Sequence, residues 1–248
     1  MTKRLLRIFL VLLAILFTFI AVVLGQGYLR YKEEIENLPL DKAVEAYTKK
    51  EDYVPYDQID QDFINAVISV EDKRFFERKG YDLKALCRAL YHDLLAKDFI
   101  EGGSTITEQI AKNLHLGGYI ESPEEKIAGI FLMRALELNY SKEELFALYA
   151  NMNYYGDGYW GIGEAARGYY DRDANDLSLA QAAMLAGIPN APAVYQLSDG
   201  YDLAKQRQEW VLQTMVNNSY ITKEEMKEAL VEDVHPITEQ QSIIVVFN

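Results

Sequence analysis

The chain opens with a long apolar segment. Residues 8–25 read IFLVLLAILFTFIAVVLG, and Thr18 is the one polar side chain among them. At about 1.5 Å of rise per residue, a helix of this length is about long enough to cross the hydrocarbon core of a membrane. A cleaved signal peptide normally has a shorter apolar stretch and a small-residue cleavage site, and a buried core helix is rarely apolar on every side. We therefore predict an uncleaved transmembrane anchor over residues 1–27.

Three basic residues predict the orientation of this anchor. Lys3, Arg4 and Arg7 come before the apolar run, and cationic residues that flank a transmembrane helix normally remain in the cytoplasm. The prediction is a single-pass protein of the cell membrane, with its N-terminus in the cytoplasm and the remainder of the chain outside.

Three segments are predicted after the anchor. Residues 28–56 contain two prolines and many charged side chains, so they are predicted to be a juxtamembrane linker whose first part, residues 28–37, can extend the anchor helix. A folded domain is predicted over residues 57–235, and a tail over residues 236–248.

The domain is predicted to be mainly α-helical. Its apolar positions recur at helical spacing from Phe63 onward. Helical patterns also fill residues 202–217 and 222–232, and strand-like alternation is scarce before residues 243–247. Capping boxes, in which Ser or Thr precedes Glu or Gln by three residues, predict four helix starts. Their first residues are Ser122, Ser141, Ser178 and Thr222.

Composition and charge narrow the choice of ligand. The formal net charge is −13, which argues against a nucleic-acid partner because binding to phosphate backbones needs clustered Lys and Arg. Cys87 is the only cysteine in the sequence, so an internal disulfide and a cysteine-based zinc site are excluded. The 18 tyrosines fit either an amphipathic surface or a sugar-binding groove.

Glu71 is the first candidate for chemistry. It stands at the predicted end of an amphipathic helix, before Asp72 and the pair Phe75-Phe76. The negative end of a helix dipole and desolvation by phenyl rings both raise the pKa of a carboxyl group. A raised pKa suits general acid–base catalysis near neutral pH. The alternative is a solvated, charged helix end without a catalytic role.

Two glycine-containing segments are further candidates. Residues 102–105 read Gly-Gly-Ser-Thr and precede a helical pattern that contains Lys112, an arrangement that can bind an anion at the turn. The alternative is that Thr105 and Glu108 only cap the helix and that Lys112 is solvated. Residues 151–166 have glycines spaced for a tight loop packed with aromatic side chains, and the alternative there is a structural turn.

Four motifs stand in an order that resembles one enzyme family. They are ED-x-x-F-x-x-x-x-G-x-D from Glu71, GGSTIT with KN at 112–113, N-x-N-Y-Y-G-x-G-x-x-G from Asn151, and an alanine-rich segment from Leu179 to Tyr195. With these motifs the chain resembles the family 51 glycosyltransferases over roughly residues 55–198. That family includes monofunctional peptidoglycan transglycosylases and the glycosyltransferase domains of class A penicillin-binding proteins. GGSTIT with its KN partner is the most specific motif.

The resemblance implies a lysozyme-like, mainly helical fold and the polymerisation of lipid II into glycan strands. Glu71 would be the general base that deprotonates the 4-hydroxyl of the acceptor. That oxygen attacks the anomeric carbon of the growing chain, and undecaprenyl pyrophosphate leaves. The implied substrate-binding residues are Asp72, Phe75, Arg78, Gly103, Ser104, Thr105, Gln109, Lys112, Asn113, Lys126, Tyr155 and Gly156.

Cofactors and partners are implied in the same way. A divalent cation, Mg²⁺ or Mn²⁺, at the pyrophosphate is the one cofactor that the resemblance leaves open. The expected partners are lipid II, the growing glycan chain, the membrane and a separate transpeptidase.

Five positions depart from the family pattern. They are Arg78, Glu108, Glu125, Gly129 and Gln181. Glu125 and Gln181 each complete a capping box, so the helix starts are kept. Gly129 stands where the family has a functional glutamate, and the candidates to replace that glutamate are Glu108, Glu124 and Glu137.

Three hypotheses about function follow from these departures. The first is an active, divergent polymerase. The second is a degenerate, non-catalytic homologue that binds lipid II or a cell-wall synthesis partner. The third is a lysozyme-like hydrolase, which in its retaining form needs a second carboxylate close to Glu71.

Overall fold

The computed structural model describes residues 3–78, 105–120 and 122–236. This part of the chain is helical, and within it the one β contact is an antiparallel bridge between Tyr154 and Trp160. The prediction of a mainly α-helical fold is confirmed. The α-helices are α1 (Lys3–Asn37), α2 (Leu40–Thr48), α3 (Gln61–Glu71), α4 (Ile106–His115), α5 (Pro123–Asn139), α6 (Lys142–Met152), α7 (Ile162–Tyr170), α8 (Leu179–Gly187), α9 (Pro192–Tyr195), α10 (Tyr201–Asn217) and α11 (Lys223–Val231). Short 3-10 helices lie at Tyr56–Gln58 and Ile188–Asn190.

The four predicted helix starts are confirmed. Ser141, Ser178 and Thr222 each form a complete capping box, at α6, α8 and α11 respectively. Ser122 accepts a hydrogen bond from the backbone N–H of Glu125 at 3.1 Å, and α5 begins one residue after it. These side chains satisfy N–H groups that the first turn of a helix leaves without a partner.

α1 is one uninterrupted helix. It contains the whole apolar run and is long and apolar enough to cross a membrane. The predicted extension through residues 28–37 is confirmed, since α1 continues to Asn37 without a break.

The segment predicted as a linker is folded over much of its length. α2 lies in the middle of it, with Ala43 and Val44 buried. Pro39 begins this helix because its carbonyl accepts a hydrogen bond from the N–H of Ala43 at 3.0 Å, and a proline at a helix start removes no donor that the helix needs. Val54 and Ile59 are buried as well.

The chain forms two compact units. The anchor unit comprises residues 1–45 and 107–139, and the head unit comprises residues 46–106 and 140–248.

In the anchor unit, α1 packs along α5. At Gly27 an added Cβ would lie 2.3 Å from the Cβ of Ile127, so the two helices approach here as closely as glycine permits. Next to this point the ring of Phe131 lies 5.3 Å from that of Tyr28 and 5.6 Å from that of Tyr31. The anchor helix is therefore a structural part of the folded unit.

The head unit is built around α3. Both α8 and α10 pack against α3. α8 reads LAQAAMLAG and is buried over most of its length, because small side chains allow the neighbouring helices to come close. Phe63 and Phe146 are fully buried, with ring centroids 6.4 Å apart. The buried residues of α3 run from Phe63 to Ser69, so the core holds most of the length of this helix.

Candidate active site

Glu71 is the last residue of α3 and is half-buried. The helix begins at Asp60, whose carboxylate accepts a hydrogen bond from the N–H of Asp62 at 2.8 Å. The buried residues of α3 include Ile64, Val67 and Ile68, which lie seven, four and three positions before Glu71 and so share its face of the helix. The predicted position of Glu71 at a helix end is confirmed, and its carboxylate is attached to a rigid element.

The loop after Glu71 is closed by an ion pair. Arg78 donates two hydrogen bonds to the Asp72 carboxylate, of which the bond from Nη1 to Oδ1 is 2.9 Å long. The side chains are 13% and 6% exposed, respectively. Paired parallel bonds between a guanidinium and a carboxylate are strong and fix the relative orientation of the two groups. Both residues are thus engaged in holding the loop, and their contact with substrate stays a prediction.

Phe75 attaches the same loop to the core. It is fully buried, and its ring lies 5.1 Å from that of Phe76 and 6.3 Å from that of Phe146. The Lys142 ammonium lies 4.7 Å from the centroid of the Phe75 ring. In this structure Phe75 supports the site from within the core, and a substrate contact would need it to move.

A buried tyrosine that the sequence did not single out lies near Glu71. Tyr149, in α6, is 3% exposed. Burial raises the pKa of its hydroxyl well above the usual range and the charge of Glu71 raises it further, while a hydrogen bond with Asn153 and the charge of Arg207 act in the opposite direction. The hydroxyl therefore stays protonated and able to donate. One tyrosine in an apolar helix pattern looks like a core residue, so the sequence gives no signal for it.

Within the segment 151–166, which is predicted to contain a tight loop, residues 153–161 form a hairpin. The N–H of Tyr155 donates to the carbonyl of Tyr159 at 2.9 Å, and the N–H of Tyr159 donates to the carbonyl of Gly156 at 2.9 Å. Gly156 has a φ of +79°, and a Cβ there would lie 2.5 Å from the Cβ of Gln196. Tyr155 is fully buried, and its hydroxyl donates to the carbonyl of Ala150 at 3.2 Å. Tyr155 and Gly156 therefore shape the loop, and their role in substrate binding stays a prediction.

One carboxylate ties this hairpin to its surroundings. Asp157 Oδ2 accepts a hydrogen bond from the hydroxyl of Tyr169 at 2.8 Å and another from the N–H of Ser198 at 3.0 Å. Beside it, the exposed ring of Trp160 lies 4.9 Å from that of Tyr154. The rings of Tyr154 and Trp160 therefore lie on a hairpin that hydrogen bonds hold in place.

The predicted phosphate-binding cation lies in the anchor unit. Lys112 is half-buried on α4, and it forms no ion pair with any residue that the structure describes. Asn113 is exposed beside it, while Gln109 and Thr105 are half-buried. The buried side of α4 is formed by Ile106, Ile110 and Ala111. The predicted helix is confirmed, and it presents Lys112 and Asn113 on its accessible side.

Two of the carboxylates that are candidates to replace the family's glutamate, Glu108 and Glu137, have partners within the anchor unit. Lys126 Nζ lies 3.4 Å from Glu108 Oε1, and Thr107 donates to Glu137 at 2.9 Å. Glu108 and Glu137 therefore already interact with Lys126 and Thr107, respectively. They are two of the three carboxylates that could replace the glutamate that the family has at position 129. An added Cβ on Gly129 would lie 3.5 Å from Cδ1 of Leu116, which is ordinary van der Waals contact.

Two predicted binding residues, Gly103 and Ser104, lie outside the described residues, as does the segment 243–247. Within the described part, no group of three or more His, Cys, Asp and Glu side chains is arranged to hold a metal ion. A divalent cation stays a prediction.

Comparison with known proteins gives a family match. The family model described as Transglycosylase matches residues 38–216. The chain is 38% identical over 188 residues to penicillin-binding protein 1F of Bacillus subtilis (strain 168), covering 75% of this chain and 26% of that protein. It is 35% identical over 187 residues to penicillin-binding protein 1A of Neisseria flavescens, covering 75% of this chain and 23% of that protein. The chain thus spans about a quarter of the length of these relatives.

A solved structure gives a weaker likeness. The crystal structure of penicillin-binding protein 1A from Haemophilus influenzae matches 53% of this chain and 16% of its own, with 24% identity and a TM-score of 0.32. That score is too low to support a comparison of folds. The family match also begins at residue 38, inside the segment predicted as a linker, in keeping with the folded state of that segment.

Proposed function

Because the chain belongs to the transglycosylase family, we propose that it is a peptidoglycan glycosyltransferase with Glu71 as its general base. Its substrate would be lipid II and its products a glycan strand and undecaprenyl pyrophosphate. The observation that carries the proposal is the placement of Glu71. This half-buried carboxylate ends a packed helix, and the loop beside it is closed by Asp72 and Arg78.

The reaction needs one proton acceptor and one site for negative charge. Glu71 takes the proton from the 4-hydroxyl of the acceptor sugar as that oxygen forms a bond to the anomeric carbon of the donor. The bond from this carbon to the pyrophosphate oxygen breaks, and the pyrophosphate leaves with the electron pair. A positioned base contributes roughly 10²–10⁴-fold to such a step.

The cations of the anchor unit fit the second requirement. Lys112 has no described carboxylate partner to neutralise it, so its charge is available to the departing diphosphate. A cation that is already in position stabilises charge as it develops in the transition state. Lys126 would have a smaller effect, because Glu108 lies 3.4 Å from its ammonium. A bound Mg²⁺ or Mn²⁺ would supply further positive charge at the pyrophosphate.

α1 supports a location in the cell membrane. Its apolar run would cross the bilayer with the N-terminus in the cytoplasm, which places the folded units on the outer side with the lipid-linked substrate.

The second candidate function is a non-catalytic homologue that binds lipid II or a synthesis partner. Gly129 favours it, since glycine cannot replace the functional glutamate expected there. Arg78 favours it too, because its guanidinium is engaged with Asp72.

One assay separates the two functions. The full chain, purified in detergent, is expected to convert lipid II into glycan strands, and Glu71→Gln should lower the rate about 100-fold or more. Glu228→Gln, an exposed carboxylate on α11, is the matched control and should keep the wild-type rate. Equal rates for Glu71→Gln and wild type would remove Glu71 from the mechanism. An inactive wild type that still binds lipid II would establish the second function instead.

A further inference from the structure

A pocket lies on the loop that follows Glu71, and none of its lining residues is among the predicted substrate-binding residues. It has a volume of about 330 Å³ and is lined by Lys73, Arg74, Glu77, Asn218 and Tyr220. The first three residues belong to the loop after α3, and the last two to the turn between α10 and α11. All five belong to the head unit.

The walls of the pocket are fixed by hydrogen bonds. Asn218 Nδ2 donates to the carbonyl of Ser69 at 3.3 Å, which joins the turn to α3. The N–H of Tyr220 donates to the carbonyl of Met215 at 3.0 Å, and the N–H of Glu77 donates to the carbonyl of Arg74 at 3.1 Å. The pocket is thus formed by two segments of the chain that hydrogen bonds hold in place.

The charges that line this pocket are not paired with each other. Lys73, Arg74 and Glu77 are all exposed, and among the described residues none of them forms an ion pair. Arg78, on the same loop, is by contrast held by Asp72. The chain has a net charge of −13. Lys73 and Arg74 therefore form a small positively charged site on a negatively charged protein.

The lining specifies a ligand with charges of both signs. An Arg guanidinium matches a carboxylate with two parallel hydrogen bonds, and a Lys ammonium adds a compact charge beside it. Glu77, which lines the same pocket, can bind an ammonium group through its carboxylate. Burial and the charge of Glu77 raise the pKa of the Tyr220 hydroxyl, so this hydroxyl remains a donor.

We propose that this pocket binds a short peptide whose terminal carboxylate and amino-terminal ammonium group are both free. The volume lies at the lower end of the range for small-ligand sites, roughly 300–1,000 Å³, which suits two or three small residues. The charges and the volume of the pocket support a peptide ligand independently of the proposed function.

The test is a binding titration of the full chain in detergent, followed by ligand-observed NMR. The probes are trialanine, N-acetyl-trialanine, trialanine amide and inorganic phosphate. Trialanine should bind, and each blocked form should bind about tenfold more weakly, because one charged contact is lost. The double variant Lys73→Gln/Arg74→Gln should lose trialanine binding to a similar extent. Lys227→Gln, an exposed cation on α11, is the control and should bind like the wild type.

Each outcome decides the proposal. Equal binding by the wild type and the double variant would overturn it, and so would no binding by the wild type. Phosphate or N-acetyl-trialanine binding as tightly as trialanine would show an anion site only, which also overturns it. Glu71→Gln should bind trialanine normally, so failure of the polymerase assay leaves this result unaffected.

Discussion

We expect Asn151 to stabilise the head unit through hydrogen bonds of its buried side chain. Its Nδ2 donates to the carbonyls of Val54 at 2.7 Å and Ala147 at 2.8 Å, and its Oδ1 accepts from the N–H of Val54 at 2.8 Å. Asn151 and Val54 are both 8% exposed. The side chain thus satisfies both backbone groups of Val54, which follows α2, from a position 97 residues away.

Asn151→Ala removes these bonds and leaves two buried backbone groups of Val54 without a partner. Each such group costs about 1–3 kcal/mol when it is left unsatisfied. Alanine recovers about 0.5 kcal/mol through its higher helix propensity. The expected loss in the free energy of unfolding is therefore about 2–5 kcal/mol.

The assay is thermal unfolding of the full chain in detergent, followed by circular dichroism. A loss of about 3 kcal/mol lowers Tm by about 6–12 °C for a chain of this size. The control is Asn217→Ala, because Asn217 is exposed and accepts one hydrogen bond from Gln213 at 3.1 Å. If Asn151→Ala and Asn217→Ala unfold at the same temperature, the bonds to Val54 do not stabilise the head unit and the reasoning is refuted.

Two further predictions concern the anchor unit. Gly129→Ala should raise the free energy of unfolding by about 1 kcal/mol through helix propensity, since the new Cβ would meet Leu116 at an ordinary distance of 3.5 Å. Gly27→Ala should lower the free energy of unfolding, because its Cβ would overlap Ile127. Equal Tm values for the two variants would contradict this packing. Burial lowers the pKa of His115 below its usual 6.5, and a proton added to its buried Nδ1 would find no acceptor among the described residues. Protonation therefore opposes folding, and stability is lost as the pH falls through 6.5. The wild type should lose more Tm than His115→Gln between about pH 7.5 and pH 5.5, and parallel pH profiles would exclude His115 as the cause.

Local signals in the sequence predicted a large part of the fold. The capping boxes at Ser141, Ser178 and Thr222 are observed, because such a box depends only on residues three positions apart. The end of α3 at Glu71 and the helix that contains Lys112 are local features as well. The glycine spacing within residues 151–166 also predicted a tight loop, which is observed as a hairpin at residues 153–161.

The remainder depends on contacts between distant parts of the chain. Val54, near the end of the segment predicted as a linker, is held by hydrogen bonds to Asn151, and no local pattern in the sequence shows such a pair. The pairing of Asp72 with Arg78 depends on the path of the loop between them. Tyr149 is close to Glu71 only because α6 and α3 belong to the same core, so the surroundings of the candidate base could not be predicted from the sequence.

The continuity of α1 would set the distance between a bilayer and α5, the helix that carries the predicted binding residue Lys126. Gly27 fixes α1 to α5 two residues beyond the apolar run, and no hinge lies between them. In the proposed anchoring, Lys126 is therefore held at one height and one angle relative to the lipid head groups. Each inserted residue would change this height by about 1.5 Å and this angle by about 100°, so the length of α1 and the rotational position of its last turns would both alter where Lys126 lies.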